Sequence, residues 1–276
     1  MNADTESLGT FLAEKKSVAV VSGAGVSTAS GIPDYRDRNG DWKHAQPMQF
    51  GEFAGSSDAR RRYWARSYVG WQRFSSAEPN TAHRVLASLE SAGKIDTLIT
   101  QNVDGLHQAA GSRRVIDLHG DLSNVRCLGC NAVSARADYQ GELRRANPDW
   151  HAEVHRYNPD GDAELAVNSH ENFVVPDCDT CGGVIKSDVV MFGESVPKQR
   201  VNDAMQAVAR ADALLVVGSS LMVFSGFRFA RLAHANRTPI AIVNQGRTRA
   251  DDIADLKVEE DCSQALQRLL PGWGTR

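Results

Sequence analysis

The sequence lacks the features that direct a chain to a membrane, to the cell exterior or to a nucleic acid. No apolar run approaches the roughly 20 residues that span a bilayer. The acidic first residues form neither the basic and apolar regions of a secretory signal nor an Arg-rich transit peptide. The 276 residues carry a formal net charge of -3, without the basic excess that tracks a phosphate backbone. These absences predict a cytoplasmic protein that binds neither membranes nor nucleic acids.

Cysteine is scarce, and four of the five cysteines stand in two pairs, Cys127-x2-Cys130 and Cys178-x2-Cys181. Disulfides are rare in a reducing compartment. Two thiolates three positions apart on a tight turn bind one zinc ion, and two such turns complete a tetrahedron with no open position. The spacing therefore predicts one structural zinc, in preference to a chance cluster of buried thiols or a redox pair, which needs a single CxxC.

The pattern of apolar residues is that of an α/β protein. Short aliphatic runs predict buried strands at residues 18–22, 95–100, 115–118, 213–218 and 240–244. Capping residues and helical spacing predict helices at residues 80–93, 197–211 and 226–235. Strands that alternate with helices predict a doubly wound, Rossmann-like parallel sheet.

One segment, residues 121–186, breaks this alternation. It has a cysteine pair near each end, and between the pairs it contains polar stretches such as NPDW and NPDGDAEL. We interpret it as a small inserted zinc-binding module that is closed by metal more than by a core of its own. Residues 1–120 and 187–276 are then predicted to form the Rossmann-like domain.

A glycine-rich segment follows the first predicted strand. Gly23 and Gly25 would let the backbone approach a pyrophosphate, and a helix that begins there would direct N–H groups at it. Thr28 replaces the third glycine of the GxGxxG pattern, so an ordinary strand-to-helix turn is an equally good interpretation. Residues 31–37 carry charged side chains and are predicted to form a loop over a nucleotide site.

Polar side chains also follow the other predicted strands, at the edge of the sheet where ligands bind. An amide, a carboxylate and an imidazole, from Asn102, Asp104 and His119, are expected to converge near the glycine-rich segment. His119 has the chemistry of a general base, although any single histidine is as readily structural. The turns at 218–220 and 244–246 suit ribose recognition, but ordinary turns look the same.

Together, the two CxxC pairs and the segments GAGVSTASGIPDYRD, TQNVDGLH, LHG, VVMFGES, VVGSSL and VNQG resemble the sirtuins, which are NAD-dependent protein lysine deacylases. The resemblance extends from about residue 18 to residue 262. The GSRR and RRYWARSYVGW segments and the long gap between the cysteine pairs resemble the class II branch, which includes the mitochondrial sirtuin four of animals. Without a transit peptide, the chain is more similar to a bacterial member.

The resemblance implies a role for many single residues. It implies that His119 is the catalytic base, with Asn102 and Asp104 beside it. Contacts with NAD are implied for Gly23, Ala24, Gly25, Ser27, Thr28, Pro33, Asp34, Tyr35, Arg36, Gln101, Asn102, Val103, Asp104, Gly218, Ser219, Ser220, Asn244, Gln245, Gly246 and Cys262. Pairing with the backbone of an acylated-lysine protein, as an added strand, is implied for Val190, Phe192, Gly193, Glu194, Leu221 and Val223.

The resemblance also implies the reaction. The acyl-lysine carbonyl oxygen attacks C1′ of the NAD ribose as nicotinamide leaves, and His119 deprotonates a ribose hydroxyl that then attacks the acyl carbon. The products are lysine, nicotinamide and O-acyl-ADP-ribose, so NAD is consumed. A mono-ADP-ribosyltransferase or NAD hydrolase on the same fold is the alternative, and a zinc-ribbon binding module without chemistry is a third.

The acyl group and the oligomeric state stay open. Tyr63 and Arg66 stand three positions apart, hence on one helical face. Sirtuins that remove succinyl and related acidic groups use a Tyr-x-x-Arg pair at a similar place, and an Arg binds a carboxylate through two hydrogen bonds. Dicarboxylic acyl groups are therefore one hypothesis. A helix with a surface rich in Arg, as residues 60–62 suggest, is the equally supported alternative.

Overall fold

The computed structural model describes residues 3–43, 46–166 and 169–269. In chain order, its strands are β1 (Val18–Ser22), β2 (Ile95–Thr100), β3 (Val115–Asp117), β4 (Gly120–Cys127), β5 (Val133–Ala135), β6 (Val154–Tyr157), β7 (Ala163–Leu165), β8 (Ile185–Val189), β9 (Ala213–Val217), β10 (Ile240–Val243) and β11 (Leu256–Val258). Its helices are α1 (Ala3–Ala13), α2 (Phe50–Gly55), α3 (Ser57–Phe74), α4 (Thr81–Ser91), α5 (Leu106–Ala109), α6 (Arg136–Ala146), α7 (Lys198–Arg210), α8 (Phe224–Ala235) and α9 (Cys262–Gln267). Within these ranges, no helix combines the length and the hydropathy of a membrane span.

The predicted strands lie side by side in one sheet. Its order is β11-β10-β9-β1-β2-β3, and every pairing is parallel. Each residue of β1, β9 and β10 is buried, which explains why these strands are continuous apolar runs. The prediction of a doubly wound parallel sheet is confirmed. The edge strand β11 was not predicted, because three residues among charged neighbours carry little apolar signal.

Helices cover both faces of this sheet, and each face has its own core. Along β1, Val18 and Val20 pack on the side of α4 and α9, whereas Ala19 and Val21 pack on the side of α7 and α8. This follows from the alternation of side chains along a strand. The predicted helix at α4 begins with a capping box, in which the Asn80 side chain accepts from backbone N–H groups.

The antiparallel part of the chain has more apolar core than the sequence indicated. The sheet β5-β4-β8 and the hairpin β6-β7 lie within residues 120–189. Trp64 of α3 is fully buried in one cluster with Tyr139 and Leu143 of α6. The guanidinium of Arg136 lies over the rings of Trp64 and Trp71, at 5.2 and 4.9 Å from their centroids. Helix α3 therefore completes this core, while the predicted division at residues 121–186 stays a prediction.

The buried His83 makes stability depend on pH. The side chain is 0% exposed, its Nδ1 accepts the Asn80 N–H, and its ring lies 4.8 Å from that of His107. Burial, and then the charge of Arg84, lowers the pKa of His83 from 6.5 to about 4. Above the ordinary pKa both folded and unfolded chains hold a neutral ring. As the pH falls below it, the unfolded chain takes up the proton first, and stability is lost.

We predict that His83→Gln reduces the acid sensitivity of folding. A glutamine at this position keeps a capping-box acceptor but does not titrate. Between about pH 7.5 and about pH 5, the wild type should lose about 2 kcal/mol more unfolding free energy than the variant, at roughly 1.36 kcal/mol per unit of pKa shift. Urea unfolding at both pH values measures this difference. Equal losses in the two proteins would show that His83 contributes nothing.

Candidate active site and metal centre

The ends of β1 and β9 touch at the point where the strand order of the sheet reverses. The Gly25 N–H donates to the Gly218 carbonyl at 2.8 Å. A Cβ atom at Gly25 would lie 2.9 Å from that carbonyl oxygen, and Gly218 has a left-handed φ of 61°. Small residues are therefore required here by the close packing of two strand ends. The loop after β1 continues as two 3-10 turns, residues 24–26 and 28–30, where the sequence suggested a longer helix.

A cavity of about 780 Å³ opens beside this contact, a volume typical of ligand sites. Most of the predicted site residues line it: Gly23, Ala24, Gly25, Ser27, Asp34, Tyr35, Arg36, Tyr63, Arg66, Gln101, Asn102, Val103, Asp104, His119, Val190, Phe192, Gly193, Glu194, Gly218, Ser219, Ser220, Leu221, Val223, Asn244 and Gln245. Thr28, Pro33, Gly246 and Cys262 are not part of this wall. Thr28 donates to the Gly25 carbonyl, and the buried Cys262 thiol lies 3.7 Å from the Val243 carbonyl oxygen.

Hydrogen bonds join the polar side chains of the loop after β1 to those after β2. The Ser27 hydroxyl donates to the Asp104 carboxylate at 2.7 Å. The Asn102 amide donates to the Ser27 oxygen at 3.0 Å and to the Gly23 carbonyl at 3.1 Å. Burial raises the pKa of Asp104, and the Ser27 hydroxyl opposes that rise. The network fixes the Asn102 and Asp104 side chains beside the glycine-rich loop.

His119 has both ring nitrogens engaged. Its Nδ1 lies 3.0 Å from the Gln101 carbonyl oxygen, and its Nε2 lies 2.8 Å from the Ser225 hydroxyl oxygen. Burial lowers the pKa of His119 to about 4, the Gln101 carbonyl opposes this, and Arg200 and Arg228 add to it. The imidazole is therefore neutral near neutral pH and can accept a proton. Ser225 was missed by the sequence, where nothing distinguishes it from other serines.

The predicted loop at residues 31–37 packs on a predicted substrate segment. The rings of Tyr35 and Trp42 meet edge to face, with centroids 6.0 Å apart, and Trp42 meets Phe192 at 5.6 Å. The Arg36 guanidinium lies 4.1 Å from the Trp42 ring centroid and donates to the Gly40 carbonyl. The loop is non-helical, as predicted, and its aromatic side chains connect the nucleotide side of the cavity to residues 190–194.

The segment 190–194 is braced by its own side chains. The Glu194 carboxylate accepts the Met191 N–H at 2.9 Å and the buried Lys186 ammonium at 3.1 Å. The Phe192 carbonyl accepts the Phe50 N–H at 2.8 Å. Glu194 therefore shapes this segment through internal contacts. Its pairing with a substrate strand stays a prediction.

The second predicted substrate segment presents apolar surface to solvent. Leu221 is buried with a left-handed φ of 54°, and its N–H donates to the Ser219 hydroxyl at 3.2 Å. Val223 and Phe224 line the cavity yet are 36% and 48% exposed. Exposed apolar side chains at the rim of a cavity are typical of a surface that binds another chain.

Tyr63 and Arg66 lie on the cavity wall, so Arg66 is more than a surface arginine of α3. Its Nε is 2.9 Å from the carboxylate of Asp162, which lies between β6 and β7, and it also donates to the Ala163 carbonyl. Asp160 reaches the same wall. Burial, and then the nearby Asp162, raises the pKa of Asp160 well above its ordinary value. The sequence offered no signal for these two aspartates, which arrive from a distant loop.

The four paired cysteines form a metal site. Their Sγ atoms all lie within 4.8 Å of one another. The distances are 3.5 Å between Cys127 and Cys181 and 3.8 Å between Cys130 and Cys178. Four sulfurs at the Zn–S bond length form a tetrahedron with edges of about 3.8 Å, so the set fits zinc. The Gly129 N–H donates to the Cys127 sulfur at 3.3 Å, which suits a bound thiolate. Four thiolates leave no position for substrate, so the metal is structural.

We predict that the cysteine set holds zinc and that the fold depends on it. Cys130→Ser and Cys178→Ser should each lose the metal and lower the unfolding free energy by at least about 3 kcal/mol, because the binding energy of a structural zinc is part of folding. Cys262→Ser is the matched control and should keep its zinc. Elemental analysis and urea unfolding of the purified proteins measure both effects. A Cys130→Ser protein with full zinc content would contradict the assignment.

The sequence matches known proteins along almost its whole length. The model of the Sir2 family matches residues 23–225. The NAD-dependent protein deacetylase 2 of Bradyrhizobium diazoefficiens is 54% identical over 265 residues, which cover 96% of this chain and 97% of the relative. The NAD-dependent protein deacylase Sirt4 of Drosophila melanogaster is 43% identical over 269 residues, which cover 96% of this chain and 86% of the relative.

Solved structures agree with these matches. Sir2 with a p53 peptide and NAD+ has a TM-score of 0.78 at 30% identity, covering 97% of this chain and 98% of that one. Sir2 bound to acetylated peptide has a TM-score of 0.77 at 29% identity, with the same coverage of 97% and 98%. The family model, the relatives and the fold all lead to one conclusion: this chain belongs to the Sir2 family, the sirtuins.

Proposed function

We propose that this chain is an NAD-dependent protein lysine deacylase that releases nicotinamide and transfers the acyl group to ADP-ribose. The observation that carries the proposal is the neutral His119 in the wall of the cavity, between the glycine-rich loop and residues 190–194. Relatives over nearly the full chain are described as an NAD-dependent protein deacetylase and deacylase.

The residues of the cavity fit NAD. A Cβ atom at Gly23 would meet Ser219 and one at Gly25 would meet Gly218, so these glycines let the strand ends meet closely, at the place where a pyrophosphate binds in doubly wound sheets. The hydroxyl of Ser219 and the amides of Asn244 and Gln245 offer partners for ribose hydroxyls. NAD, consumed as co-substrate, supplies an electrophilic ribose carbon and the hydroxyl that receives the acyl group.

His119 would take a proton from a ribose hydroxyl at its Nε2. The Gln101 carbonyl already accepts from Nδ1 at 3.0 Å, so it stabilises the imidazolium that this transfer produces. Asn102 and Asp104, fixed by Ser27, would orient the reacting ribose and nicotinamide. The aromatic contact between Trp42 and Phe192 would keep water from the reacting atoms.

The macromolecular substrate would be an acylated-lysine protein, bound between residues 190–194 and 221–223. The exposed Val223 and the apolar rim support a peptide at this place. The net charge of -3 argues against a nucleic acid as partner. We also propose that the protein is cytoplasmic, as the sequence predicts.

We predict that the protein, incubated with NAD and acyl-lysine peptides, forms nicotinamide, the free lysine peptide and O-acyl-ADP-ribose in equal amounts. His119→Ala should lower the rate of O-acyl-ADP-ribose formation by at least about 100-fold, because a general base contributes that much or more. Mass spectrometry of the small molecules and peptides measures all three products. Nicotinamide release with only free or protein-bound ADP-ribose would instead establish the hydrolase or transferase.

For the acyl group, we propose that dicarboxylic acyl chains reach Arg66 and compete with Asp162 for it. The place of Arg66 on the cavity wall supports the dicarboxylic hypothesis, whereas its ion pair with Asp162, at 2.9 Å, opposes a strong preference. A carboxylate that binds Arg66 must replace a charge-assisted hydrogen bond of comparable strength. We therefore expect acetyl and dicarboxylic chains both to be removed.

Two variants of opposite effect test this. Asp162→Asn should raise the kcat/KM for succinyl- and glutaryl-lysine relative to acetyl-lysine by about tenfold, which corresponds to roughly 1.4 kcal/mol. Arg66→Ala should lower the same ratio by a similar factor. Arg61→Ala is the matched control, since Arg61 pairs with Asp58 at 2.8 Å and lies outside the cavity wall. Equal changes in kcat/KM on the succinyl-, glutaryl- and acetyl-lysine peptides would contradict the dicarboxylic hypothesis.

A further inference from the structure

Ser225 stands at the start of α8, directly against the imidazole of His119. Its Oγ lies 2.8 Å from Nε2, and both residues line the cavity. The two residues are 106 positions apart, and their contact joins the turn after β3 to the start of α8. A hydroxyl at this distance occupies the one nitrogen that the proposed reaction requires.

The direction of this hydrogen bond follows from the other ring nitrogen. Nδ1 lies 3.0 Å from the Gln101 carbonyl oxygen, and a carbonyl oxygen can only accept, so Nδ1 carries the proton. In the neutral ring, Nε2 then has the lone pair and cannot donate. The Ser225 hydroxyl must therefore donate to Nε2. When Nε2 is protonated, the same hydroxyl can turn and accept from it, and that charge-assisted bond is the stronger of the two.

The charged side chains around His119 favour its neutral form. Arg200 on α7 and Arg228 on α8 are the charged side chains that act on the imidazole, and each disfavours its protonation. Arg200 also donates to the Leu118 carbonyl, so its charge is held beside the strand end. The Gln101 carbonyl opposes them and favours the imidazolium. Substitution of Ser225 therefore removes one hydrogen bond to His119 without changing the charge of any side chain.

We propose that Ser225 is a positioning residue for His119, which holds Nε2 as an available lone pair and yields it to the ribose hydroxyl when NAD binds. The inference rests on the proposed function. In the free protein, the Ser225 proton points at Nε2. With substrate bound, the ribose hydroxyl replaces it as donor, its proton passes to Nε2, and the ribose oxygen keeps the electron pair that attacks the acyl carbon. Ser225 keeps its own proton throughout.

The first test needs no turnover. Histidine side chains labelled with 15N are titrated by NMR in the wild type, Ser225→Ala and Ser225→Thr proteins without NAD. Loss of the hydroxyl removes the stronger bond, the one to the imidazolium, so the pKa of His119 should fall in Ser225→Ala by on the order of 1 unit. Ser225→Thr, which keeps a hydroxyl, should return it toward the wild-type value. The buried His83 is the internal reference and should titrate alike in all three proteins.

The second test follows turnover against pH. The acidic limb of kcat/KM for NAD reports the enzyme before NAD binds and should move to lower pH in Ser225→Ala by the same amount. The acidic limb of kcat reports the bound complex and should not move, because Ser225 has already been displaced. A merely structural role would lower both parameters and leave both limbs in place.

The outcomes separate the two proposals. An unshifted His119 pKa in Ser225→Ala would overturn the role of Ser225 whatever the turnover. A shift of the kcat limb equal to that of kcat/KM would overturn the displacement by the ribose hydroxyl. Absence of O-acyl-ADP-ribose with the wild type overturns the proposed function itself, and the NMR titration remains valid in that case.

Discussion

The site depends on one backbone contact, the hydrogen bond from the Gly25 N–H to the Gly218 carbonyl at 2.8 Å. It joins the ends of β1 and β9, where helices connect to opposite faces of the sheet and leave a crevice. A side chain at either glycine would separate the two strand ends. The Gln101 amide donates to the Ser219 hydroxyl beside this junction, and the Asn102 amide donates to the Gly23 carbonyl on its β1 side, so the polar network is built around the same contact.

Burial away from water determines the protonation of Asp104 and His119, which lie beside this junction. Burial disfavours charge, so it raises the pKa of Asp104 and lowers that of His119. Hydrogen bonds oppose both shifts: the Ser27 hydroxyl favours the Asp104 carboxylate, and the Gln101 carbonyl favours the His119 imidazolium. A neutral imidazole and a carboxyl group thus lie in the wall of one cavity.

The far end of the cavity belongs to a different structural unit. Tyr63 and Arg66 are held by α3, whose Trp64 is buried among residues of α6 and of the antiparallel sheet. The Arg136 cation between two indole rings and the four-cysteine metal site stabilise the same region. Under the proposed function, acyl selectivity would therefore depend on α3 and the β6–β7 loop, whereas the nucleotide would bind at the junction of β1 and β9.

By itself, the sequence determined the features that local pattern encodes. Parallel strands buried on both faces must be contiguous apolar runs, and a four-thiolate zinc site must contain paired cysteines, so the sheet and the metal ligands could be predicted. Only the tertiary structure decided which distant groups meet. Arg66 pairs with Asp162 across 96 positions and His119 with Ser225 across 106. Helix α3 also completes the core of a segment that the sequence indicated to be closed by metal more than by a core of its own. Such contacts arise from packing between elements, which no periodicity along the chain records.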